Sequence, residues 1–99
     1  MAYRLTRRAA EDIEEIYSFG AEQFGVDQAD AYHTLLERTF EFLANNPLAA
    51  RKRLELAPPI RIHAVQSHLV IYRVEDNGEI LIVRVRHGHE DWAEPVVDP

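Results

Sequence analysis

Apolar residues change their spacing once along this chain, and that change fixes its layout. Between Ala9 and Leu43 they return every third or fourth residue, the repeat of a helix with one buried face. Between Ile60 and His87 they alternate, the repeat of strands. Asn45-Asn46-Pro47 and Pro58-Pro59 stand at the switch, where proline removes an amide donor and turns the preceding residue away from helical angles.

The first helical stretch runs from Thr6 with Ala9, Ile13, Ile16, Tyr17 and Phe24 on its apolar face. Glu11, Asp12, Glu14 and Glu15 suit the positive end of its dipole and read as a solvated face. Gly25, able to take a left-handed conformation, ends it. A second helix starts with Asp27 as N-cap and Asp30 in the first turn, carrying Tyr32, Leu35, Leu36, Thr39, Phe40 and Leu43. A link of about three residues forces the two into an antiparallel hairpin. Tyr17, Phe19, Tyr32, Phe40 and Phe42 cannot all enter one core. Phe19 and Phe42 are expected outside, as contacts for a protein partner, with off-register core packing as the duller alternative.

Ala2 to Leu5 reads as a short strand, and the Leu48 to Pro59 connection has room for a turn of helix. Three strands follow: Ile60 to Val65, His68 to Glu75 and Glu79 to His87, the last two joined by the turn Asp76-Asn77-Gly78. On the last strand Leu81, Val83 and Val85 are expected to meet the helices, leaving Ile80, Ile82, Arg84 and Arg86 on the other face. The expected fold is α+β, one domain over residues 1–99: an N-terminal strand, then an antiparallel helical hairpin packed on an antiparallel β-sheet.

Composition narrows the function. The absence of cysteine excludes disulfides, thiolate metal sites and cysteine nucleophiles and suits a reducing compartment. No apolar run approaches the roughly 18 residues of a spanning helix, so a cytoplasmic location is expected. The net charge of -6 disfavours a domain that holds nucleic acid by neutralising phosphates. Yet Arg51, Lys52, Arg53, Arg61 and Arg73 face only Glu55 between residues 51 and 73, a basic strip in an acidic protein.

Tyr3-Arg4-Leu5-Thr6 with Ala9, Asp12 and Ile16; Phe24-Gly25-Val26-Asp27-Gln28-Ala29 with Tyr32; Asn46-Pro47; His68 to Val74; and Ile82 to Gly88 resemble, in order and spacing, the ParE/RelE family of bacterial type II toxin-antitoxin toxins. The ParE branch fits best. The resemblance implies a compact toxin neutralised by a ParD-like antitoxin, whose C-terminal segment folds along the hairpin and sheet. It also implies one of two targets. ParE-like toxins trap the cleaved-DNA complex of DNA gyrase, whereas RelE-like toxins cut mRNA on the ribosome. An inactive relic retained only to bind antitoxin is a third possibility.

An RNA cutter needs an acid or base near the 2′-OH and cations for the phosphate. The strand position where the RelE branch carries a catalytic arginine is Leu69 here, and the segment after the last strand offers Glu90, Asp91, Trp92 and Glu94 instead of a basic cluster. His87 and His89 with Arg84 and Arg86 are the remaining candidates for such chemistry, His87, Arg84 and Arg86 first among them. A metal on His87, His89 and Asp91 is the weaker alternative. The ParE branch is preferred, with no catalytic residue of its own, no metal and no cofactor. Arg61, Arg73 and Arg84 with Phe19 and Phe42 are then candidates for gripping the antitoxin, the arginines by forking to its carboxylates. Solvation or internal pairing with Glu75 and Glu79 is the competing reading for those arginines. Arg86 and Trp92 are candidates for the target.

Overall fold

The computed structural model describes residues 3–50, 52–53 and 60–88. The elements are β1 (Tyr3–Leu5), α1 (Arg7–Phe24), α2 (Val26–Asn45), β2 (Lys52–Arg53), β3 (Ile60–Val65), β4 (His68–Val74) and β5 (Ile80–His87). The two helices cover one face of a five-stranded sheet of order β1-β5-β4-β3-β2. β3, β4 and β5 pair antiparallel as expected, and β2 adds a further antiparallel strand on β3. β1, however, lies parallel to β5, with Tyr3 opposite Ile80 and Leu5 opposite Ile82, so the sheet is mixed. The helical hairpin carries the chain from β1 at one edge of the sheet to β2 at the other, and the meander from β2 back to β5 then brings β5 beside β1 in parallel.

The joint of the hairpin is tighter than the sequence suggests. One residue, Gly25, separates the helices, and Asp27 lies inside α2 instead of capping it. Gly25 sits at φ 97° and ψ 159°, a region closed to residues with a Cβ. Its N–H donates to the Ala21 carbonyl at 3.0 Å, and its own carbonyl accepts from Ala29 N–H at 3.1 Å, so the same residue closes one helix and opens the next.

The core lies between the layers, with Ala9, Leu36, Phe40 and Leu43 from the helices against Val70, Tyr72, Ile80, Ile82 and Val85 from the sheet. The inward set on β5 corrects the expected alternation. Tyr72 pairs with Ile82 but Ile71 with Arg84, so Val83 is an extra residue, a β-bulge. Before it the even positions Ile80 and Ile82 face the helices; after it Val85 does. Leu81 and Val83 are not in the core. Phe24, read as part of the apolar face of α1, is 64% exposed. Between α2 and β3, Lys52 and Arg53 form an edge strand where a helical turn had been allowed for; Pro58 and Pro59 lie outside the described residues.

Tyr72 ties that connection to the core. Its buried hydroxyl donates to the Pro47 carbonyl at 2.9 Å and lies 3.4 Å from the Ala50 N–H that it accepts. Burial raises the pKa of Tyr72, as it does for Tyr3 and Tyr32.

Three outcomes follow from this packing, all read by denaturant unfolding. Gly25→Ala should cost about 1–3 kcal/mol, because a Cβ is strained at that φ and ψ. Tyr72→Phe should cost about 1–3 kcal/mol by leaving the Pro47 and Ala50 groups unmet. A phenol that ionises less readily when folded gives its full stabilisation below the unfolded pKa of about 10 and loses it as pH rises further. The wild type should therefore weaken above about pH 10, and Tyr72→Phe should weaken less over that range.

Candidate functional site

Past Ile82 the strand β1 has ended, and the backbone of β5 needs new partners. The start of α1 supplies them. Thr6 N–H donates to the Ile82 carbonyl at 3.0 Å, and Thr6 Oγ1 donates to the Val83 carbonyl at 2.7 Å while accepting from Ala9 N–H at 3.0 Å. Thr6 is thus both the N-cap of α1 and a clasp on the bulge. Farther along α1, Asp12 Oδ2 accepts from Val85 N–H at 3.0 Å. The same carboxylate receives both arms of Arg84, Nε at 2.7 Å and Nη2 at 3.0 Å. Both side chains are largely buried, 11% exposed for Asp12 and 19% for Arg84. Of the acidic run once read as solvated, Asp12 turns inward while Glu11, Glu14 and Glu15 stay exposed. Arg84 is internally paired, with Asp12 as its partner where Glu75 or Glu79 had been considered.

Beside this pair, the far half of the hairpin and the ends of β4 and β5 border a groove of about 890 Å³. Ile13, Ile16, Phe19 and Gly20 form the α1 wall, and Tyr32 and Leu35 the α2 wall. Gln66, Ser67 and His68 at the β3–β4 turn face Arg84, Arg86 and His87 on β5. The turn is tight, with Gln66 at φ 51°, and Ser67 accepts from Gly88 N–H at 2.7 Å.

Two imidazoles meet at the mouth. His68 and His87 are opposite each other across β4 and β5, ring centres 5.3 Å apart and nearly perpendicular. Tyr32 Oη lies 2.6 Å from His68 Nδ1 and 3.3 Å from the Val65 carbonyl. Of the residues considered for RNA cleavage, His87, Arg84 and Arg86 thus line one groove, together with His68 and Tyr32, which were not in that set. Counted back from the Asn77-Gly78 turn, strict pairing puts His68 opposite Arg86. The bulge at Val83 moves His87 into that place, a shift with no sequence signal.

The remaining candidates are spread. Phe19 is 60% exposed and Phe42 47%, in keeping with their expected place outside the core. Phe19 is on the groove, but Phe42 stands at the other end of the molecule against His63, ring centres 5.9 Å apart. Arg61 is near that second pole, its Nη1 donating to the Ala50 carbonyl at 2.6 Å. Arg73 faces away from the helices and, like Arg4, pairs with Glu75. His89, Asp91 and Trp92 lie outside the described residues. Among the described residues no three histidine or acid side chains are placed to hold a metal ion, and no helix is long and apolar enough to cross a membrane.

The chain matches, over residues 3–92, the family model for the ParE toxin of the type II toxin-antitoxin system parDE. It is 38% identical over 85 residues to Toxin ParE1 of Caulobacter vibrioides, covering 86% of each chain. To Toxin ParE1 of Mycobacterium tuberculosis it is 36% identical over 89 residues, covering 90% of this chain and 91% of the other. Among solved structures, its fold is similar to a chain of the chromosomal ParDE TA system from P. aeruginosa, with a TM-score of 0.73 and 24% identity over 88% of this chain and 95% of that one.

The clasp has a measurable weight. Asp12→Ala removes both bonds that tie Arg84 to α1 and leaves Val85 N–H without its acceptor, and should cost about 2–4 kcal/mol. In a double-mutant cycle with Arg84→Ala, the two losses should fall short of additivity by about 1–3 kcal/mol, read from unfolding midpoints.

Proposed function

The chain belongs to the ParE toxin family of type II toxin-antitoxin systems, and from that premise we propose that it is a cytoplasmic toxin that binds DNA gyrase and traps its cleaved-DNA complex. A ParD-like antitoxin neutralises it. The observation that carries this over RNA cleavage is the state of Arg84. Its guanidinium is already forked onto Asp12, and lending it to a phosphate would strip that largely buried carboxylate of both guanidinium bonds and loosen α1 from β5. Leu69 stands where the RelE branch places an arginine, and the net charge of -6 opposes phosphate binding at large.

The groove is the seat for the antitoxin segment in this reading. Its apolar floor and the half-exposed Phe19 fit an amphipathic peptide, and Arg84 and Arg86 mark its rim. A segment that continues round the molecule reaches the second pole, where Phe42 and Arg61 stand, and Arg73 on the far face of the sheet is the remaining grip. Arg86 and Trp92 are assigned to the target.

Purified protein with gyrase and plasmid should accumulate linear DNA, and ribosomes incubated with it should leave mRNA intact. Intact supercoiling beside codon-specific mRNA cuts would replace this reading with the RelE one. Phe19→Ala should weaken antitoxin binding, by up to about tenfold, the loss of one interface anchor, measured by titration calorimetry.

A further inference from the structure

We propose that the chain's own segment after β5 occupies the groove, with Trp92 as its anchor, so that an incoming antitoxin has to compete with it. Three observations point there. First, the segment leaves the sheet at the groove. His87 and Ser67 are wall residues, and Gly88 N–H is fixed to the Ser67 carbonyl at 2.7 Å. A Cβ on Gly88 would come within 3.2 Å of that oxygen, so glycine permits the close approach that sets the exit. Second, the reach is right. Four extended residues from Gly88 to Trp92 span about 13 Å. The α1 wall from Asp12, which touches β5, to Phe19 rises about 10 Å. Third, the chemistry is complementary. Residues 89–99 hold Glu90, Asp91, Glu94 and Asp98 with no lysine or arginine, around one large ring and the pair Val96-Val97. The groove offers Ile13, Ile16 and Leu35 as apolar wall, with Arg86, His68 and His87 at the mouth. A tryptophan is the side chain that gains most from such a slot, and a short tether holds it at an effective concentration of about millimolar, so even a weak site fills.

Occupancy by a tethered segment lowers the apparent affinity of a competitor by the free fraction. This second half rests on the groove being the antitoxin's seat; the docking itself does not, and the test separates them.

Trp92 is the only tryptophan, so its fluorescence in the full chain reports docking without antitoxin or target. The emission should be blue-shifted and shielded from acrylamide, relative to the chain in guanidinium. Phe19→Ala, at an exposed wall position, should lower the docked-to-free ratio about tenfold with unchanged circular dichroism, and Phe42→Ala at the other pole should leave it unaltered. Solvent-exposed emission overturns the proposal. So does shielding that ignores Phe19→Ala, which seats the ring elsewhere, or shielding that grows with protein concentration, which makes the occupant a second copy. With docking established, Trp92→Ala should raise antitoxin affinity about tenfold; unchanged affinity would keep the docking and reject the competition.

Discussion

One carboxylate joins the two layers of this molecule at the point where the sheet would otherwise come undone. Asp12 satisfies the exposed edge of β5 at Val85 and holds Arg84 by both arms, three charge-assisted bonds from a single helical side chain. Removing apolar area elsewhere would weaken the core by degrees. Removing this group would take two bonds from a largely buried cation and uncover a strand-edge N–H at the same time. With Thr6 one step earlier, it pins the start of α1 onto β5 and thereby fixes how the hairpin lies over the sheet.

The groove follows from pinning only that end. Along α1 burial declines from Ala9, which is enclosed, through half-buried Ile13 and Ile16 to exposed Phe19 and Phe24. Farther out the helix is held to its neighbour, as where Tyr17 donates to Asp30 at 2.6 Å. Apolar side chains spaced for a core are therefore presented beside the sheet's end, where a segment of another origin can complete their burial. An amphipathic pattern longer than the surface it covers leaves surplus apolar residues along a groove.

Much of this was legible in the sequence because it is local. The periodic residues gave both helices; alternation and the Asn77-Gly78 turn gave β3, β4 and β5 to within a residue or two. What stayed hidden depends on contacts between distant residues. One inserted residue at Val83 reverses which side chains of β5 face the helices, so Ile80 and Ile82 took the place assigned to Leu81 and Val83, and His87 came opposite His68. Asp12 looks like its neighbours Glu11 and Glu14 until β5 is beside it. Two residues, Lys52 and Arg53, carry too little pattern to announce a strand, and the parallel pairing of β1 is settled by the path of the chain through the hairpin and the meander, not by β1 itself. Phe19 and Phe42 were recognised as surplus by counting aromatics, but the count could not say that they stand at opposite poles.

The histidine pair shows why residue identity and chemical capacity have to be judged separately. Two imidazoles, a phenol and two arginines at one groove are the ingredients of acid-base chemistry on RNA. Their connections point elsewhere. Tyr32 engages Nδ1 of His68, joining α2 to the β3–β4 turn, while Arg84 joins α1 to β5. Each of these two contacts spans two elements that border the groove, and Tyr32, His68 and Arg84 are turned to these structural partners. A site that spends its polar side chains on holding its walls apart at a set width is built to receive a shape. This agrees with the reading proposed above, in which the chain acts by gripping a partner.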